Sequence, residues 1–437
     1  MGKRVLYALV TIALGVIAGA FAWAFFFLMN TGINLLWNVV PSALDQAGLP
    51  AIFYPIAFCI AGGLVIGIFS ARFGDYPQDM NTVLAEVKKT GRYEYKHILS
   101  SFFGALLPLL FGGSIGPEAG LTGVIAGLCT WVGDRLRAVG AEMRELTEAG
   151  CAAVVSAIFA TPLFGLTVPV VGAADDSQGS IVSADKIDLK VPKPLKVAVY
   201  LLAVVGALGS MLLLGMLFGA NGGLPHFSDM EMGLHELAWF VPLALVGIAA
   251  GWLFYPAEAL ARKISDAMGK HKVIKPVFGG VLLGLCGTAL PFVMFAGEAQ
   301  TEELSEIWTT MLPAALIATG FLKVIMTQFC LNLGWRGGHF FPIIFAGISI
   351  GYGMALLCGI DPVFCLCVVT AALVGAVMRQ PVMCALLLFL VFPIRSVIVL
   401  LAAAALASLV PVPKKWLKKS SQKPEREAKG KNAQPTE

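Results

Sequence analysis

Two short stretches carry the residue types from which an anion site can be built without a cationic side chain. Residues 112–117 read Gly-Gly-Ser-Ile-Gly-Pro, and residues 337–342 read Gly-Gly-His-Phe-Phe-Pro. Both fit GG-x-x-x-P, 225 positions apart (337 minus 112). Proline is favoured in the first turn of a helix, where its missing N–H would have no partner anyway. Glycines ahead of it allow unusual backbone angles and close approach. Each stretch therefore predicts a loop running into a helix N-terminus. The N–H groups there point outward, backed by about half a positive charge from the helix dipole. One such end is worth ~0.3–2 kcal/mol to an anion. Two converging ends hold an anion weakly, which suits a path the ion must also leave. The competing reading is that the glycines only let helices pack tightly. The proline after the double glycine, in both stretches, favours the anion site.

Titratable residues near these stretches could move protons or steer ions. Glu118 directly follows Pro117. A carboxylate inside a membrane is a functional candidate by default, although at a helix start it also complements the dipole of its own helix. The dipole role is the weightier expectation, and the proton role stays open. His339 lies inside the second motif, as a structural donor or a pH-sensitive group. Asp175 and Asp176 read as solvated loop charges at a cytoplasmic mouth. Arg336 and Arg379 each precede a helix start, where they either draw anions inward or snorkel to an interface.

The elements that must position these residues are apolar. Of 437 residues, 58% are hydrophobic and only 13% charged, with a mean hydropathy of +0.82. Soluble domains carry about 25% charged residues, so the composition excludes a soluble enzyme, a disordered chain and a nucleic-acid-binding domain. It predicts an all-α membrane protein of many spans. Several apolar runs fall short of the ~20 residues that cross a bilayer core. They are also broken by the 48 glycines and 24 prolines. Such broken segments are tolerated where they are buried in protein or line a wet cavity. The first run, 5–29, is too long for a signal peptide and reads as a retained membrane helix.

A polar loop from Ala173 to Pro194 divides the chain into halves, 1–192 and 193–415. A second pair of landmarks follows the first: Thr161-Pro162-Leu163 matches Gln380-Pro381-Val382. Two matches in one order predict an internal duplication. Lys3 and Arg4 at one end, and Lys415, Lys418 and Lys419 at the other, place both termini in the cytoplasm by the positive-inside rule. The tail 416–437 is polar and basic and reads as disordered, solvated or in contact with anionic lipid. The nine cysteines all sit in apolar runs without metal-ligand spacing and read as small buried hydrophobes. No cofactor or metal site is expected.

These residues resemble the CLC family of chloride channels and proton-coupled chloride exchangers. Gly112 to Glu118 is similar to the family's G-[KR]-E-G-P motif, and Gly334 to Pro342 to its G-x-F-x-P motif. Ala160-Thr161-Pro162-Leu163-Phe164-Gly165 and Arg379-Gln380-Pro381-Val382 resemble its paired helix starts. The likeness covers roughly residues 5–411. It implies a divergent bacterial member in the inner membrane, a homodimer with one anion path per subunit, and two inverted halves of discontinuous helices. It also implies anion contacts from the backbone N–H groups of His339 and Phe340, matched in the first half by Ser114, Ile115 and Gly116. Gly74-Asp75-Tyr76-Pro77 is faintly similar to the family's G-S-G-I-P motif. This makes Gly74 a candidate anion contact, with Asp75 pointing away because its charge would repel the ion.

The departures from the family are at its proton sites. Where the exchangers hold their gate glutamate, this chain has Ile115. Where they hold an inner glutamate, it has Val171 or Gly172. The family's anion-contacting tyrosine has no counterpart in Val410 to Trp416. The leading expectation is therefore passive anion conduction, of chloride first. The runner-up is proton-coupled exchange of chloride or fluoride, with Glu118 as a substitute proton site. A non-conducting membrane scaffold is the third reading. No nucleophile–base set or phosphate loop is present, so neither an enzyme nor ATP-driven transport is expected.

Overall fold

In the computed structural model the described residues are 2–48, 51–135, 143–159, 161, 174–175, 180–181, 193–219, 225–227, 229–389 and 391–412. They are almost entirely helical. The helices are α1 (Gly2–Asn34), α2 (Val40–Gln46), α3 (Tyr54–Phe73), α4 (Met80–Thr90), α5 (Ile98–Leu110), α6 (Glu118–Arg135) and α7 (Met143–Phe159). After a two-residue antiparallel ladder, Ala174–Asp175 with Ser180–Ile181, come α8 (Lys193–Phe218), α9 (Leu234–Ala267), α10 (Ile274–Ala289) and α11 (Glu298–Ile307). The chain continues through α12 (Pro313–Asn332), α13 (Phe340–Cys358), α14 (Pro362–Met378), α15 (Pro381–Leu388) and α16 (Val397–Leu409). Six helical stretches are long and apolar enough to cross a membrane, and six shorter apolar helices of 10–17 residues accompany them. This is the multi-span, broken-helix architecture expected from the sequence. The inner-glutamate positions Val171 and Gly172, the helix start at Pro162, Asp176 and the tail 416–437 lie outside the described residues.

Small residues set how closely the helices approach. A methyl group added to Gly15 or Gly19 of α1 would strike the backbone of Ala203 or Ala207 on α8. Gly63 and Gly67 of α3 meet Pro276 and Val273 at the start of α10 in the same way, and Gly347 and Gly351 of α13 meet Thr370 and Leu366 of α14. In a membrane, where burial of apolar surface gives helices no advantage over lipid, such backbone contact is what holds them together. The packing reading of glycine is thus right for these positions.

Helices α13 and α14 form the centre. The first sixteen residues of α13 are buried but for Met354, and α14 is buried from Phe364 to Ala376. Asp361 caps α14, its carboxylate accepting the Phe364 N–H at 2.7 Å. Seven of the nine cysteines are buried. Arg379, a candidate for drawing in anions, is otherwise engaged. It closes α14 in the left-handed conformation (φ 55°). Its guanidinium donates to the carbonyls of Ser408 at 2.9 Å and Val410 at 3.1 Å. These are the orphan acceptors at the end of α16, which a cation satisfies well. Arg379→Ala is expected to cost about 1–3 kcal/mol for the two charge-assisted bonds. A melting experiment on purified protein checks this, and an unchanged midpoint would show that the cap contributes nothing.

Candidate functional site

The two GG-x-x-x-P motifs, far apart in sequence, meet in the fold. Gly116 and Gly338 form a two-way backbone pair: each N–H donates to the other's carbonyl at 2.8 Å. This isolated antiparallel bridge ties the start of α6 to the start of α13. Pro117 immediately precedes α6, and Pro342 lies in the first turn of α13, as their residue types require.

Glu118 sits between the two helix ends. Its Oε1 accepts the backbone N–H of Phe340 at 2.7 Å. The residue is fully buried. Its second oxygen, Oε2, has no hydrogen-bond partner among the described residues. The dipole the carboxylate meets across the bridge belongs to α13, 222 residues away in sequence. Glu118 also opens its own helix, so the carboxylate serves two helix starts where the sequence offered one. The donor assigned to the anion, Phe340 N–H, is held by a side chain of the protein.

The glycines of the bridge leave room for this carboxylate. A Cβ on Gly338 would overlap Glu118 Cγ, Cδ and Oε1, and one on Gly116 would overlap its Cδ and both oxygens. No residue with a side chain fits at either place while Glu118 stays where it is.

The other predicted site residues separate into two groups. Ile115 is fully buried, and its side chain packs against Gly337, where an added Cβ would strike it. Its N–H donates to Gly113 O at 2.8 Å, and the Gly116 N–H is taken by Gly338. Ser114 meets helix α12: its Oγ lies 3.3 Å from Thr327 Oγ1. The Ile115 and Gly116 donors expected to face an anion are thus turned to protein partners, because the loop closes on itself and on the bridge. His339 caps α13. Its ring packs on Phe254 and Phe340, with centroids at 5.5 and 4.5 Å.

Gly74 is not an anion contact in this structure. It ends α3 with φ 95°, and its N–H donates to Ser70 O at 3.1 Å. Asp75 is neutralised by cations, one of them beside the second motif. It accepts from the Ser70 hydroxyl at 2.6 Å and lies 3.5 Å from Arg336 and 3.6 Å from Lys272. Burial pushes the Asp75 carboxyl up, but the Ser70 hydroxyl, Arg336 and Lys272 outweigh it and leave the group below the usual carboxylate range. Arg336 is therefore the link between the Gly74 turn and the second motif.

One residue escaped the sequence reading. Lys323, in α12, is fully buried. Its ammonium donates to the carbonyls of Phe292 at 2.9 Å, Met294 at 2.8 Å and Phe295 at 3.0 Å, with Val293 O at 3.4 Å. The available signal was a single lysine within the apolar run Phe321 to Cys330.

Comparison with known proteins agrees with this architecture. The family model for voltage gated chloride channels matches residues 62–170 and 186–411. The chain is 28% identical over 334 residues to "Putative ion-transport protein YfeO" of Escherichia coli (strain SMS-3-5 / SECEC), covering 73% of this chain and 71% of that one. The protein of the same description from Escherichia fergusonii matches to the same extent. Among solved structures, a slow cyanobacterial Cl−/H+ antiporter superposes with a TM-score of 0.74 at 17% identity, over 92% of this chain and 94% of that one. A CLC-type fluoride/proton antiporter gives 0.70 at 18% identity, over 93% and 95%. At such identities these two show the fold alone. The fold and the extent of the family match together establish that the chain belongs to the voltage gated chloride channel family, a family of membrane proteins that transport small anions.

Proposed function

We propose that the chain moves a small anion, chloride or fluoride, past the junction of the two motifs in exchange for protons, with Glu118 as the gate. The observation that carries this is the Phe340 N–H donating to Glu118 Oε1 at 2.7 Å. A carboxylate on that donor and an anion cannot share it. The anion gains the site only when Glu118 is neutralised by a proton or swings out. Protonation removes the charge-assisted part of the bond and lets the side chain leave. One group then alternates between proton and anion occupancy, which is the minimum an exchanger needs. The runner-up of the sequence reading thereby becomes the leading one. Both solved structures named above are of antiporters, which fits this reading.

Passive conduction is the second reading. It is favoured by Ile115, an untitratable residue at the motif position, buried against Gly337. The proposal includes a homodimer in the inner (plasma) membrane with both termini cytoplasmic, and the halves 1–192 and 193–415 as repeats. A flux assay in proteoliposomes with chloride, bromide, nitrate and fluoride tests it. An imposed anion gradient is expected to drive protons uphill. Anion flux without proton movement would favour the passive reading, and no flux of any anion would favour a scaffold.

Ile115→Glu gives a second check. Ile115 leans on Gly337 and Glu118 on Gly338, so the variant sets a second carboxylate next to the first. Like charges in a buried site repel each other and an incoming anion. Flux at neutral pH is expected to fall about tenfold and to recover on acidification. Unchanged flux would remove Ile115 from the pathway.

A further inference from the structure

We propose that Lys323 is the fixed cation of the anion pathway, setting its anion affinity and its preference for anions over cations. The inference rests on the reading of the motif junction as the anion site. Lys323, Thr327 and Cys330 lie on one face of α12 at i, i+4 and i+7, the spacing that aligns side chains along a helix. Two of them serve the first motif. Thr327 meets Ser114 directly, Oγ1 to Oγ at 3.3 Å. Lys323 gathers the carbonyls of Phe292 to Phe295, and the Phe295 N–H in turn donates to Gly112 O at 3.0 Å. The ammonium thus stands one helical turn, about 6 Å along the axis, from the residue that meets Ser114.

On its other side the ammonium lies 4.6 Å from the centre of the Phe345 ring. Phe345 is on α13, five residues beyond the Phe340 whose N–H carries the gate. The lysine is therefore wedged between the first-motif scaffold and the helix whose N-terminus binds the carboxylate. The carbonyls and the aromatic face favour the ammonium over the amine, and in that form the group places a positive charge between the first-motif scaffold and α13. Carbonyls alone need only a donor, which a neutral glutamine supplies. What a glutamine lacks is the charge. In a medium of low dielectric a unit charge several ångströms away changes anion affinity by about tenfold.

The test uses purified full-length protein in the Glu118→Gln background, so that the gate does not compete, and in the wild-type background for flux. Chloride and fluoride binding are measured by calorimetry for Lys323→Gln, Lys323→Met and Lys323→Arg. The neutral variants are expected to bind about tenfold more weakly and to let cations leak, and Lys323→Arg to stay within about threefold of the parent. Equal affinity in all three, with the parent binding normally, would overturn the role of Lys323 while leaving the Glu118 gate intact. Equal loss in all three, tracking a lower melting point, would make the residue merely structural. A parent that neither binds nor transports an anion would overturn the site itself. If the neutral variants do not fold, carbon-13 shifts of labelled lysine decide. An ammonium at the pH of transport supports the role, and a neutral amine there overturns it.

Discussion

Glu118→Gln is expected to raise anion flux at neutral pH by about tenfold and to abolish the protons moved per anion. The wild-type carboxylate accepts the Phe340 N–H at 2.7 Å, in a buried setting between two helix starts. A hydrogen bond to a charged group contributes about 1.5–3 kcal/mol and a neutral one about 0.5–1.5. Glutamine keeps the size and one acceptor oxygen but loses the charge. The difference of ~1–1.5 kcal/mol is a factor of about ten in how readily an anion displaces the side chain. Glutamine also no longer repels that anion and has no proton to exchange, so flux loses its pH dependence. Paired measurements of anion and proton flux in liposomes check this. If the variant and wild type carry the same anion flux with the same proton movement, Glu118 is a helix-dipole partner and nothing more. If wild type moves no protons and the variant conducts faster, Glu118 is a gate in a channel.

Much of this site was legible as pattern and little of it as contact. GG-x-x-x-P announced two helix starts because the physics of proline and glycine at such starts is local. The partner of Glu118 was not legible. A carboxylate at a helix start looks the same whether it serves its own helix or one 222 residues away. The first-half donors were misjudged for a related reason. Ile115 N–H and Gly116 N–H are satisfied by Gly113 and Gly338, and a bridge between distant loops has no sequence signature. The partners of Asp75 were not legible either, since Arg336 and Lys272 lie far from it in sequence. Nor were those of Arg379, since the open carbonyls it serves belong to α16. Lys323 was overlooked because a lone lysine in an apolar run carries no periodicity, although its burial is too costly in lipid to be incidental.

Gly338→Ala is expected to lower stability by about 1–3 kcal/mol, and most of that loss should vanish in a Glu118→Ala background. The nearest atoms to the added methyl would be Cγ, Cδ and Oε1 of Glu118. The carboxylate must therefore move, or the bridge to Gly116 must open. Overpacking of a close-fitted site typically costs 1–3 kcal/mol. With Glu118 truncated the methyl has room, so the two substitutions should couple by ~1 kcal/mol or more, as contacting residues do. The single variant should also change function. Expelling the carboxylate frees the Phe340 N–H, so Gly338→Ala is expected to conduct anions with fewer protons per anion than wild type. Gly116→Ala should behave alike, since its methyl also meets only Glu118 atoms at closest range. Thermal unfolding of the three proteins, with flux on the single variants, completes the cycle. Equal cost of Gly338→Ala in both backgrounds would mean that glycine is needed for the backbone pair with Gly116. The cradle would then have no bearing on the gate. A cost confined to the Glu118 background would mean that the two motifs are glycine-rich because a carboxylate must lie between them.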